Sequence, residues 1–180
     1  MRRMAIVCGS STLVVALAAG SLWAQQDKSK RPSPPATAQC ELAGGKTVTI
    51  DYSSPRKRGR NVFPDVVKYG DVWRTGANEA TTFVTTADVM VGSAHVPAGS
   101  YTLFTIPGKD KWTLIISKKT GEWGTDYPGE KEDLARVDMK AGTASAPVEN
   151  FTISFEKAGS GCNLKLSWDT TTAWVSVGAM

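Results

Sequence analysis

Between residues 47 and 53 every second residue is apolar: Val48, Ile50 and Tyr52 alternate with Thr47, Thr49, Asp51 and Ser53. Successive side chains of a strand point to opposite faces, so a period of two fits a strand with one dry face and one wet face. Phe151, Ile153 and Phe155 alternate with Asn150, Thr152, Ser154 and Glu156, and Leu164, Leu166 and Trp168 with Asn163, Lys165, Ser167 and Asp169. Trp112, Leu114 and Ile116 do the same with Ile115 spoiling the polar face, while residues 101–106 are largely apolar on both faces. Such a doubly apolar strand belongs in the middle of a sheet, covered on both sides. No eleven-residue window carries the i, i+3, i+4 spacing of an amphipathic helix, and the best helical fragment, 131–135, is about one turn long.

Further strand candidates lie at 72–75, 81–86, 89–91, 137–139 and 171–177. Turn chemistry separates them: Gly92 with Ser93, then 97–99, 107–110 and 159–161, all rich in Gly, Pro, Asp or Ser. About ten short strands at hairpin spacing, with no helices to make parallel crossovers, predict an all-β fold: an antiparallel β-sandwich or jelly-roll-like barrel. The C-terminal hairpin should bring Cys162 beside the first strand and near Cys40.

The N-terminus reads differently. Arg2 and Arg3 precede an apolar run over residues 4–22, and Ala24 is followed by Gln25 and Gln26, which predicts a signal peptide over 1–24. Cys8 lies inside the run without the small residue a lipoprotein signal needs before its cysteine. Residues 25–36, with Pro32, Pro34 and Pro35 among Lys and Ser, are expected to be a disordered linker. Residues 37–180 are then a single domain, too short for two. The expected destination is the periplasm or the medium, with no membrane insertion after cleavage. In that oxidising setting the surviving pair Cys40 and Cys162 invites a disulfide.

The whole chain has a formal charge of +4, but residues 37–180 carry 16 basic and 16 acidic side chains. The excess charge belongs to the two N-terminal segments, so the domain lacks the broad basic surface that nucleic-acid binding requires.

The polar residues concentrate between 53 and 82, where the chain reads SSPRKRGRNVFPDVVKYGDVWRTGANEATT. Arg56, Arg58, Arg60 and Arg74, with Lys57, offer donors suited to carboxylate or phosphate, and Asn78 and Glu79 add an amide and an acceptor. A small anionic or sugar ligand is the expected partner. The candidate ligand residues are Arg56, Arg60, Arg74, Asn78, Glu79 and the loop residue Trp123. Against this stands a scaffold role in which Arg74 and Glu79 pair with each other.

Trp112 and Trp168 fall on apolar strand faces and belong to the core, whereas Trp123, in a loop, and Trp174, beside Ala173 and Val175, are surface candidates for a carbohydrate platform. His95, expected in a turn, has no nucleophile-elbow GxSxG for company, and phosphate-cradling motifs are absent. One His with two cysteines expected to pair does not make a zinc site, and Asp126, Glu130, Glu132 and Asp133 lack EF-hand spacing; no metal or cofactor is expected.

The segments SPRKRGR, YGDVWRTGANEATTF, VPAGSYTLFTIPG and KWTLIIS resemble the recurring motifs of the bacterial family called domain of unknown function 2911. The resemblance runs from about residue 50 to 116, with a looser fit to WGTDY and the C-terminal strands. It implies no activity and carries over no catalytic residue. The leading expectation is an exported, non-catalytic binding module. The alternatives are a periplasmic hydrolase acting on sugars, with Glu79 in acid–base work beside Asp51, Asp65 or Asp71, and a structural or protein-interaction module.

Overall fold

The computed structural model describes residues 27–180, so the expected signal peptide lies outside the described residues. Nine strands form one sheet: β1 (Pro35–Leu42), β2 (Lys46–Ser53), β3 (Thr81–Thr85), β4 (Val89–Val91), β5 (Ala94–Val96), β6 (Gly99–Ile106), β7 (Lys111–Ser117), β8 (Asp133–Ala158) and β9 (Gly161–Ala179). Their order is β1-β2-β3-β6-β7-β8-β9-β4-β5, and all neighbours are antiparallel. The all-β expectation holds, with nine strands in place of about ten.

The count differs because several expected strands fuse. The stretches around 137–139 and 151–155 are parts of the single strand β8, and those at 163–169 and 171–177 are both β9. What looked like breaks are register shifts between Thr143, Val148 and Thr152, where β8 bends while staying paired. Pro147 sits in that irregular stretch, away from the regular ladder where its missing N–H would cost a bond. Opposite Val148 is Asp169, whose φ of 53° marks the matching kink in β9. By contrast the expected strand at 72–75 contributes only one bridge, Trp73 to Thr105. His95 lies on β5 and not in a turn; its Nε2 is 3.0 Å from Asp88 Oδ2.

The sheet folds over in a sandwich-like manner around one main core. Alternation delivers Val48, Ile50, Phe83, Leu103, Leu114, Ile116, Leu164 and Leu166 to it, all essentially inaccessible to solvent. Trp112, Phe151 and Trp168 pack there with Trp73 and Phe63; the Trp73 and Phe151 ring centroids are 4.9 Å apart and the Trp73 and Trp168 rings stack at 5.9 Å. On the other face of β6 and β7, Phe104 and Ile115 form a second small cluster with Ala80, roofed by Val72, Ile106 and Tyr127. The central strands are therefore dry on both sides, as their doubly apolar sequence requires.

Cys40 on β1 and Cys162 on β9 are joined by a disulfide, with Cα atoms 6.3 Å apart at a sequence separation of 122. The bond ties the first strand to the C-terminal hairpin. It also fits an exported protein. No helix among the described residues is long and apolar enough to cross a membrane.

The segment expected to be a tether is not one from residue 28 onward. Residues 28–30 form a short 3-10 turn, the first strand begins at Pro35, and Ser54 N–H donates to Pro34 O at 2.9 Å. Composition suggested disorder because the segment has little to bury; ion pairs and backbone bonds to the sheet hold it instead.

Replacing both cysteines by serine removes a cross-link across a long loop, which on chain entropy is worth about 3–5 kcal/mol. C40S/C162S, and the wild type in reductant, are expected to melt on the order of 10 °C lower in a calorimetric scan.

Candidate functional site

Beyond β2 the chain does not leave the sheet. Phe151 N–H donates to Pro55 O and Lys57 N–H to Glu149 O, both at 2.8 Å, so residues 55–57 run antiparallel to β8 around the Arg56 to Asn150 bridge. Ser54 Oγ donates to Phe151 O at 2.6 Å, and Tyr52 Oη accepts from Ile153 N–H at 3.0 Å. The chain then reverses through Arg58 and Gly59, whose φ angles of 51° and 70° are left-handed. Glycine adopts that geometry without strain, and Arg58 is supported by its N–H donating to Glu149 Oε1 at 2.8 Å.

That turn brings Arg56, Arg58 and Arg60 to the lining of one hollow of about 300 Å³, together with Pro32, Ser33 and Pro55. Two of the arginines are held in place. Arg60 donates from Nε to Lys57 O at 3.0 Å and from Nη2 to Arg56 O at 2.8 Å, and Arg56 Nη1 donates to Ser54 Oγ at 2.7 Å. Among the described residues none of the three forms an ion pair, and the nearest carboxylate named, Glu149, accepts from the Arg58 backbone N–H.

The base of the loop is gripped by Asp169, which is almost buried. It pairs with Lys57 Nζ through Oδ1 and accepts from Val62 N–H through Oδ2 at 3.4 Å. The kink in β9 that turns Asp169 inward thus fixes both ends of the arginine turn.

Asn78 and Glu79 lie nearby but do other work. Gly76 allows their loop to lie on β2, since a Cβ there would come within 2.9 Å of Ser53 O, and Ala77 N–H donates to that same oxygen at 3.1 Å. Asn78 Nδ2 donates to Ser33 O at 3.0 Å, positioning a wall of the arginine hollow. Glu79 is held by Arg31 Nη1 at 2.9 Å and Lys28 Nζ at 3.0 Å, not by Arg74. It lines a second hollow of about 240 Å³ with Lys28, Asp51 and Thr82. Burial pushes its carboxyl upward, but its own backbone N–H and hydrogen bonds from Arg31 and Lys28 outweigh that and hold it at about 2.

Trp123 is 57% exposed and pairs through its backbone with Glu79, and Gly124 N–H donates to Asn78 O at 3.1 Å. Arg74 is separate from all of these. Trp73 faces the core, so Arg74 falls on the opposite side of the sheet, the side of Phe104. Desolvation lowers its pKa, and its buried Nε has no partner. On that side Glu122 accepts from Thr102 Oγ1 through Oε2 at 3.1 Å while its buried Oε1 is unpartnered.

The six expected ligand residues therefore divide. Arg56 and Arg60 meet, Asn78 braces their hollow, Glu79 and Trp123 belong to the adjoining hollow and loop, and Arg74 is remote in role. Sequence reasoning missed Arg31, Lys28, Ser33 and Asp169. The cations were visible only as stray charges in a proline-rich segment, and nothing in the alternation marks Asp169 as inward-facing.

Fold and site together define an all-β, disulfide-linked domain that presents unpaired arginines at a loop seam. The chain belongs to the DUF2911 family, described as a protein of unknown function, whose model matches residues 33–177. The match extends beyond the motifs legible in the sequence, to the ends of the sheet. No curated protein and no solved structure matches the chain.

Lys57→Met leaves Asp169 without its counter-charge. The expected loss is about 2–4 kcal/mol in urea unfolding, below that of a fully dry pair because the Lys57 side chain stays 25% exposed. Glu79 gives a pH signature. Its folded pKa of about 2 lies below the ordinary 4.5, so its contribution is complete above about pH 5 and is lost as pH falls through 4.5 toward 2. The stability gap between wild type and Glu79→Gln should be flat from pH 5 to 7 and close by pH 2, measured by denaturant melts across that range.

Proposed function

We propose that this is an exported, non-catalytic binding module whose ligand is a small carboxylate- or phosphate-bearing solute held at Arg56, Arg58 and Arg60. The observation that carries the reading is three arginines lining one hollow, none of which forms an ion pair among the described residues. Two are already oriented by backbone carbonyls and Ser54, so little side-chain freedom is left to lose when an anion arrives. Arginine's planar fork matches a carboxylate or phosphate edge in a way that lysine does not. Export is supported by the charged, apolar and small-residue order of residues 1–24 and by the Cys40 to Cys162 disulfide.

The sugar-hydrolase alternative is disfavoured by Glu79. A general acid must keep its proton near the working pH, whereas this carboxyl is held at about 2 by two cations.

The test is a thermal-shift series on the chain recovered after export, with inorganic phosphate, glucose 6-phosphate and succinate against glucose. A ligand at a hundred times its Kd adds about 2.7 kcal/mol, so a rise of several degrees is expected with at least one anion and none with glucose. Arg58→Ala, which removes the guanidinium least tied to the scaffold, and Arg56→Lys, which keeps charge but loses the fork, should both shrink the rise. No rise with any anion, or a rise indifferent to both variants, overturns the proposal.

A further inference from the structure

We infer that the outer face of the β8–β9 ladder carries a separate saccharide site built on Trp174. Ala173 and Val175 are buried in the core, so Trp174 between them points outward. It lies opposite Lys140, and Gly142 lies opposite Thr172, which places all four on one face.

Gly142 is the informative residue. Its φ is outside the left-handed region, so backbone conformation does not call for glycine. A Cβ there would sit 3.4 Å from Cζ3 and 3.5 Å from Cη2 of Trp174, so the six-membered ring lies across the strand over the glycine. Glycine inside a strand weakens it and marks places where something approaches the backbone closely. Both distances are ordinary van der Waals contacts, so the indole lies against this stretch of strand as a shelf without glycine being required for it.

Two hollows flank the shelf, of about 290 and 340 Å³, and Trp174 and Asn163 line both. Lys165 and Thr172 complete the first, Asp138 and Ser176 the second. Two ion pairs lie on this face, Lys165 Nζ 2.8 Å from Glu156 Oε1 and Lys111 Nζ 3.3 Å from Asp138 Oδ2, and Lys140 lines the second hollow with no ion pair among the described residues. Among the described residues no hydrogen bond reaches the Asn163 amide. An aromatic shelf rimmed by an amide, hydroxyls, paired charges and the Lys140 ammonium suits a ligand with an apolar ring face and hydrogen-bonding edges. That is a pyranose, and hollows on both sides of one ring suit a chain of at least two sugar units crossing it.

Cellotetraose and chitotetraose, titrated into the exported chain and followed by tryptophan fluorescence and calorimetry, test the site and separate plain from N-acetylated glycans. At least one is expected to bind and change the fluorescence, with Trp174→Ala weakening it about tenfold or more. Asn163→Ala, which leaves the shelf and strand intact, should weaken it several-fold, and Arg56→Lys should leave it unchanged. Absence of binding by the wild type at millimolar tetrasaccharide overturns the inference, as does binding unaltered by both Trp174→Ala and Asn163→Ala. Self-association that Trp174→Ala abolishes, without sugar binding, overturns it in favour of a contact between copies.

Discussion

An antiparallel sheet of nine strands has two edges, and every unpaired N–H and C=O on an edge must find water or a partner. In this protein the β1–β2 end is turned back toward β8 and β9. Residues 55–57 continue the direction of β2 and bond to Glu149 and Phe151, Ser54 Oγ and Tyr52 Oη add side-chain links, and Cys40 is bonded to Cys162. Everything else depends on that seam. It encloses the core, it brings the 27–34 segment beside the Glu79 loop, and it gives the arginine turn a rigid base. Sites placed on such a base keep their geometry better than sites on free loops.

The aromatic residues show how packing fills the enclosure. Trp73 enters from a loop joined to the sheet by one bridge, yet it stacks on Trp168 and meets Phe151 edge to face. Its Nε1 donates to Gly76 O at 3.1 Å, which satisfies the one polar atom the indole carries inward. Loop and core are thereby coupled: the residue that anchors 72–76 also precedes Arg74 and the glycine that seats Asn78 and Glu79 on β2. Polar loop residues and core aromatics in one motif are parts of the same mechanical unit.

Charge separates the surfaces. Glu79 is surrounded by cations, Asp169 is paired, and the carboxylates on the Trp174 face have lysine partners, while the three arginines at the seam form no ion pair among the described residues. In a domain with balanced totals, such an uncompensated cluster is a local choice. The charges that neutralise Glu79 come from the segment before β1, which couples the N-terminal approach to the geometry of Asn78 and the arginine wall at Ser33.

Alternation by itself determined most of the fold. The period of two at 47–53, 151–155 and 164–168 fixed which side chains are dry, and the doubly apolar 101–106 fixed which strand is central, because burial of a pleated face acts residue by residue. The pairing of Cys40 with Cys162 was legible for a related reason, since two thiols at opposite ends of one domain had no other partners. What sequence could not show is how the two ends meet. The fusion of short strands into β8 and β9 rests on bulges at 143–152 and on the inward turn of Asp169, and such register shifts leave no periodic trace. The arginines at 56, 58 and 60 were visible as a cluster, but their lack of ion pairs among the described residues, the capture of Glu79 by Arg31 and Lys28, and the exile of Arg74 to the other face depend on contacts between residues tens of positions apart. Tertiary structure decided these, because an ion pair forms where the folded sheet places its partners in space and not where the chain lists them.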